Sequence, residues 1–203
     1  ATATISSDCS GRLGVTGDSS NITINSGVTI SGQTSNDRYA IETTNGTNTI
    51  ITNNGNIGPT NLERYGIFHN TGSGTITKID NKGTIEVNET GSGGVGTAIF
   101  NKSTIDLIEN SGTIKSNTRN AIANGSGGVI NKIDNTGTIW SVQRWTIKNI
   151  TGTITTITNS GTIKTNDEAA IRNYGGTIST INNSGTISAK DNTIQNLEES
   201  TIT

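Results

Sequence analysis

Isoleucine recurs along this chain at intervals that no α-helix produces. One cycle takes Ile76, Ile79, Ile85 and Ile99, and the next takes Ile105, Ile108, Ile114 and Ile122. Ile130, Ile133, Ile139 and Ile147 follow, then Ile154, Ile157, Ile163 and Ile171, then Ile178, Ile181, Ile187 and Ile194. Ile202 opens another cycle. The first gap is always 3 and the second always 6, while the third is 14, 8, 8, 8 and 7. A helix needs a continuing period of 3.6, which these spacings lack. The segments between are Thr-Ile-Thr and Gly-Thr-Ile, β-branched and suited to extended backbone. Short strands broken by Gly and Asn predict a chain that coils, with one corner tolerant of insertion.

A second pattern runs in step with the first. Asn-x-Gly-x-Ile occurs at 53–57, 81–85, 110–114, 135–139, 159–163 and 183–187, with a relative at 25–30. Its glycines, at 27, 55, 83, 112, 137, 161 and 185, are 24 to 29 residues apart. A period of that size marks a solenoid. The expected fold is all-β: a single-stranded right-handed parallel β-helix of about seven turns of 24–29 residues, its hand taken from the crossover rule. Four columns of Ile would fill a thin core, each buried side chain contributing about 1.5–3 kcal/mol. The early turns fit with shifts: Ile22 or Ile24, Ile30 and Ile41, then Ile50 or Ile51, Ile57 and Ile67.

Two asparagine columns support the coil. Asn53, Asn81, Asn110, Asn135, Asn159 and Asn183 precede the glycines by two, and Asn101, Asn124, Asn149, Asn173 and Asn196 follow the fourth-column Ile by two. Residues i and i+2 of a strand share a face, so both columns are expected inside, at corners. Stacked amides there bond one another and the turn backbone. The corner glycines fit positions of positive φ. Residues 1–20 do not repeat and are expected to form an N-terminal cap segment with Cys9 and Leu13. Residues 21–203 are expected to be the helix repeats, and to continue beyond this fragment, because Thr201-Ile202-Thr203 starts a turn whose edge invites pairing.

Composition narrows the function classes. Only 29% of residues are hydrophobic and 3% aromatic, which disfavours a helical or α/β globule. Fourteen basic against 16 acidic residues leave a net charge of −2, which argues against nucleic acid as a partner. No apolar run approaches the roughly 18 residues of a membrane span. One Cys and one His do not build a zinc site, and Gly91-Ser92-Gly93-Gly94-Val95-Gly96 lacks the Lys-Ser/Thr of a phosphate loop. No cofactor, metal or catalytic residue is therefore expected. His69 is read as a corner or surface residue. Asp80, Glu109 and Asp134 share a column and, with Asp106, Asp167 and Glu168, are the carboxylates on which a polysaccharide-active enzyme would have to draw. Thr84, Thr113, Thr138, Thr162 and Thr186 form an outward ladder, but charged and bulky neighbours break the flat array that ice binding needs.

The variable corner collects most of the large aromatics. Arg38, Tyr39, Arg64, Tyr65, Arg119, Trp140, Arg144 and Trp145 lie there and are the candidate partner-binding residues. The local alternative is that Tyr39, Tyr65 and Trp145, two before the fourth-column Ile, fill a wider corner.

Repeats such as Ile157-Thr158-Asn159-Ser160-Gly161-Thr162-Ile163 and Ile181-Asn182-Asn183-Ser184-Gly185-Thr186-Ile187 resemble autotransporter passenger domains of Gram-negative mucosal bacteria. The resemblance spans about residues 20–203 and is one of repeat style, without a catalytic motif. It implies a protein secreted to the bacterial cell surface, carried by a C-terminal outer-membrane barrel in the parent protein. It further implies adhesion or aggregation, through a host or bacterial surface glycan or protein or by self-association. The expected function is a non-catalytic stalk or adhesin. The alternatives are a structural subunit stacking end to end into filaments and a polysaccharide-active β-helix enzyme.

Overall fold

The computed structural model describes residues 1–32, 39–58, 65–70, 74–88 and 96–203. Among them every regular element is a strand. The strands form three parallel sheets of nine, seven and eight strands, stacked as a β-solenoid of about seven turns. One turn illustrates the path. Thr104–Asn110 lies in the first sheet, Thr113–Ser116 in the second and Asn120–Asn124 in the third. The next turn repeats this with Val129–Asn135, Thr138–Ser141 and Ile147–Ile150.

The register places like on like. Ile76, Ile105, Ile130, Ile154, Ile178 and Ile202 are successive partners, as are Ile79, Ile108, Ile133, Ile157 and Ile181. Ile85 to Ile187 and Ile99 to Ile194 form the other two columns. The early turns resolve as Ile22 with Ile51 and Ile79, Ile30 with Ile57, and Ile41 with Ile67. The core Ile are fully buried from Ile24 through Ile178, and exposure then rises to 44% at Ile194. Residues 1–20 lie on all three sheets: Thr2–Ile5 pairs with Asn21–Ile24, Cys9 bridges Ile30, and Leu13–Thr16 pairs with Tyr39–Thr44. This rung covers Ile24, Ile30 and Ile41 from the side opposite their Ile and Asn neighbours of the following turn.

Two corners are closed by amide ladders. Asn110 Nδ2 donates to Asn135 Oδ1 at 2.7 Å, and Asn135 Nδ2 to Asn159 Oδ1 at 2.7 Å. Each Nδ2 also meets backbone carbonyls of its own and the next turn: Asn135 reaches Gly137 O and Thr162 O. The second ladder runs Asn101, Asn124, Asn149, Asn173 and Asn196 with the same geometry. Inside a dry core each amide would cost a few kcal/mol if unpaired, and here each is paired along the axis. His69 continues this second ladder as the register partner of Asn101 and Thr43. It is a corner residue but not a surface one, at 2% exposure. Its Nδ1 meets Thr43 Oγ1 and its Nε2 meets Gly74 O and Thr104 O, so one ring stands in for an amide. Burial holds its pKa below the ordinary 6.5 despite those bonds.

The glycine column has a different origin from the one expected. Only Gly27 of that column has positive φ. At Gly83, Gly112, Gly137, Gly161 and Gly185 an added Cβ would collide with the carbonyl oxygen of the glycine one turn earlier. The corner is so tight that successive turns touch through backbone, and only glycine leaves room. Gly14, by contrast, has nothing near an added Cβ. Gly137→Ala is therefore expected to cost about 2–4 kcal/mol in urea unfolding, and Gly14→Ala within about 0.5 kcal/mol of nothing. Equal stability of the two variants would refute the tight-corner assignment.

Candidate functional site

The third corner, between the second and third sheets, carries no asparagine ladder. Hydroxyls close it instead. Ser116 Oγ donates to Gly96 O at 2.6 Å and accepts from Arg119 N at 2.9 Å. Ser141 Oγ donates to Arg119 O and accepts from Arg144 N at 3.1 Å. Thr165 Oγ1 donates to Arg144 O at 2.5 Å and accepts from Asp167 N at 3.2 Å. Each hydroxyl thus ties its own loop to the loop of the preceding turn. Arg119 and Arg144 are held at both N–H and C=O, so their side chains leave from a fixed backbone.

The strands that follow bury two residues in succession, Ala40 with Ile41, Ala98 with Ile99, Ala121 with Ile122, Thr146 with Ile147 and Ala170 with Ile171. That doubling breaks the alternation and brings the residue two before the Ile to the same side as the residue just after it. Tyr39, Tyr65 and Trp145 therefore meet Phe68, Phe100, Lys148 and Arg172.

Two clusters result on the third sheet. The first is a column of stacked rings along the axis. Tyr39 lies 4.6 Å from Phe68 and Tyr65 lies 4.9 Å from Phe100, with interplanar angles of 18° and 13°. Phe68 is only 7% exposed within the stack, and Lys102 Nζ sits 5.6 Å from the Phe100 ring.

The second cluster centres on Trp145, which is 8% exposed. Lys148 and the Arg172 guanidinium each lie 4.2 Å from its ring centroid, and Arg144 lies 5.6 Å away. Glu168 Oε1 pairs with Arg144 at 3.1 Å and its Oε2 with Arg172 at 3.7 Å. Among the described residues Glu168 is the only carboxylate paired with any of these cations. Burial first, then the charges of Arg172, Arg119 and Arg144, push the Lys148 ammonium down to about 8, and Glu168 only partly offsets them. Local crowding of positive charge therefore exists on a chain whose net charge is −2.

The candidate residues read from sequence divide as follows. Tyr39 and Tyr65 belong to the ring stack, and Arg144 and Trp145 to the cationic cluster, with Arg119 near enough to act on Lys148. Trp140 lies on the second sheet instead, between its register partners Lys115 and Lys164, whose Nζ atoms are 5.0 and 4.3 Å from its ring. Arg38 and Arg64 lie outside the described residues, as does most of the stretch from Gly91 to Gly96. Phe68, Phe100, Lys148 and Arg172 were not among the candidates. Their signal was the column just after the fourth Ile, which reads Glu42, Phe68, Phe100, Ala123, Lys148, Arg172 and Gln195.

Of the candidate carboxylates, Asp80, Asp106, Glu109 and Asp134 sit on the first sheet, while Asp167 and Glu168 lie at the third corner. Asp80, Glu109 and Asp134 are register partners, and each has a lysine. Lys78 bridges Glu109 and Asp80, Lys82 meets Asp80 at 3.1 Å, and Lys132 meets Asp134 at 2.6 Å. The hydrogen bond to Glu109, above all, holds the Lys78 pKa up. This is a ladder of ion pairs along an outer face. Among the described residues no three His, Cys, Asp or Glu side chains converge as metal ligands would.

The fold is a parallel β-solenoid, and among the described residues its largest gathering of rings and cations lies on the third-sheet face, with a smaller one around Trp140 on the second. Comparison with known family models, with curated proteins and with solved structures finds no match to this chain.

Lys148 makes the electrostatics testable. A lysine pKa held at about 8 in the folded chain, against 10.5 ordinarily, means the unfolded chain binds the extra proton between those values. Stability is then lost as pH falls from 10.5 towards 8 and stays reduced below it. Lys148→Gln removes the repulsion and is expected to raise the melting temperature by a few degrees at pH 7 and to flatten its rise between pH 8 and 10. A lower melting temperature for the variant at pH 7 would contradict the crowding.

Proposed function

We propose that this chain is part of a rod-like adhesin or stalk at a bacterial cell surface, which contacts its target through the outer face of the third sheet and carries no catalysis. The observation that carries this reading is the gathering, on the third-sheet face, of stacked rings and of four cations that share the single carboxylate Glu168 among the described residues, on a scaffold whose three corners are all tied turn to turn. A repetitive scaffold that presents rings and cations together on its outer face suits contact better than turnover. The first-sheet carboxylates support the non-catalytic part, because lysines neutralise them where a general acid and base would need to stand apart in protonation. The repeat style supports a passenger exported to the surface, with an outer-membrane barrel elsewhere in the parent protein. A surface glycan or protein, or a second copy, would be the partner class.

The test is adhesion of beads coated with the purified chain to host epithelial and bacterial cells. Arg144→Glu with Lys102→Glu, beside the rings of the third-sheet face, is expected to reduce bead binding by roughly tenfold or more, two charge-assisted contacts each being worth about 1.5–3 kcal/mol. Lys132→Glu, on the first sheet, should leave it unchanged. Adhesion lost equally in both, or a polysaccharide cleaved by the unmodified chain, would overturn the reading.

A further inference from the structure

We propose that the Trp145 cluster is a binding site for an acidic oligosaccharide, whose carboxylate or sulfate groups are held by Arg144, Lys148 and Arg172. This rests on the reading of the third-sheet face as the contact surface and narrows it to one ligand class.

The cations follow the coil. Arg119 belongs to one turn, Arg144 and Lys148 to the next and Arg172 to the one after, at the roughly 4.8 Å spacing of parallel strands. They make a strip about 10 Å long along the axis. A linear polymer with regularly spaced anionic groups, laid along the rod, would meet a cation at each step. Arginine presents a planar fork that matches carboxylate and sulfate oxygens two at a time. The forks are largely unspent: Glu168 takes Nη1 of each arginine, and Arg172 Nε has no partner among the described residues.

The cluster works against the fold. Four cations with one paired carboxylate repel one another, and that repulsion together with burial is what depresses Lys148. Like charges gathered from three successive turns beside one ring, with one shared carboxylate, form an arrangement that a bound anion would relieve. An incoming anion would be attracted by all four charges and would favour protonated Lys148. Nucleic acid fits less well. Bases need free ring faces, whereas cations cover Trp145 and the other rings stack on one another.

The experiment is calorimetric titration of the full chain with four probes of similar length. They are a sulfated heparin hexasaccharide, a hexagalacturonate, neutral cellohexaose and oligo-thymidylate. The expected result is binding of one or both acidic sugars, no binding of cellohexaose and weaker binding of oligo-thymidylate. The sulfated and carboxylated arms identify which anion is preferred. Affinity should fall several-fold between pH 7 and pH 9.5 as Lys148 loses its proton under the influence of Arg119, Arg144, Arg172 and Glu168. Lys148→Gln should lose about tenfold in affinity while melting no lower than the unmodified chain, a combination that a purely structural role would not produce. Arg144→Gln, at a more exposed position, gives the same readout should Lys148→Gln unfold. Lys164→Gln, on the second sheet, should bind normally. Absence of binding to both acidic sugars, or tighter binding of oligo-thymidylate, would overturn the inference. The face reading would still stand if the third-sheet variants lose cell adhesion. It would fall with the inference if acidic sugars bind equally to the third-sheet variants and are lost in Lys164→Gln.

Discussion

Everything in this molecule depends on the chain returning, once per turn, to the same register one strand spacing along the axis. That return is what lets a chain with so few hydrophobic residues build a dry core. An Ile above an identical Ile meets a matching shape at every turn, so four columns suffice where a globule would need a varied jigsaw. The same return creates the difficulty at the corners. A polypeptide that turns inside a solenoid leaves backbone N–H and C=O groups without strand partners, and burying them unpaired would cost about 1–3 kcal/mol each. Asparagine resolves this at two corners because one side chain both accepts and donates. Asn135 receives from Asn110 and gives to Asn159 while satisfying its own turn at Gly137. Glycine beside it permits the turns to approach to backbone contact.

The third corner obeys the same accounting with shorter groups. Ser116, Ser141 and Thr165 each hold two loops together, one of their own turn and one of the turn before. A hydroxyl spans less than an amide, so the loop beyond it can change length and sequence. The varying third gap of the repeat and the cations around Trp145 thus lie at the same corner. The loops hold Arg119 and Arg144 in a single column, and the strand beyond adds Lys148 and Arg172 beside them. The electrostatic conflict at Trp145 is not spread through the fold. It stands on the one side where the coil is tied by its least demanding fastening.

The parts legible in the sequence are those where identical residues stack. The Ile columns and both asparagine ladders could be read from spacing alone, because their partners are the same residue one period later. Whatever depends on unlike neighbours was harder. The hydroxyl ladder is hidden by Val87 in its column and by the abundance of Ser and Thr everywhere else. The column glycines looked like turn residues of positive φ, since nothing within one repeat reveals a carbonyl oxygen arriving from the previous turn. His69 was legible as a corner or surface residue, but that it is buried and stands in the asparagine ladder shows only in its register partner, Asn101. For the candidate site, Tyr39, Tyr65, Arg119, Arg144 and Trp145 were found as corner residues. Lys148 and Arg172 were not, because a strand position reads as scaffold. Trp140 was grouped with Trp145 by closeness in sequence, yet the corner turns between them and sends the two rings to different sheets.

The fold requires the buried amides to be continuous along the axis. Hydrogen exchange of side-chain amides, followed by NMR in the intact chain, reads this directly. The Nδ2 protons of Asn81, Asn110, Asn135 and Asn159 should exchange as slowly as the backbone amides of the adjoining Ile columns, because only opening of the coil frees them. Exchange as fast as that of the exposed Asn21 and Asn48 would mean that the ladders are not formed, and with them the register from which the rest of the structure was derived.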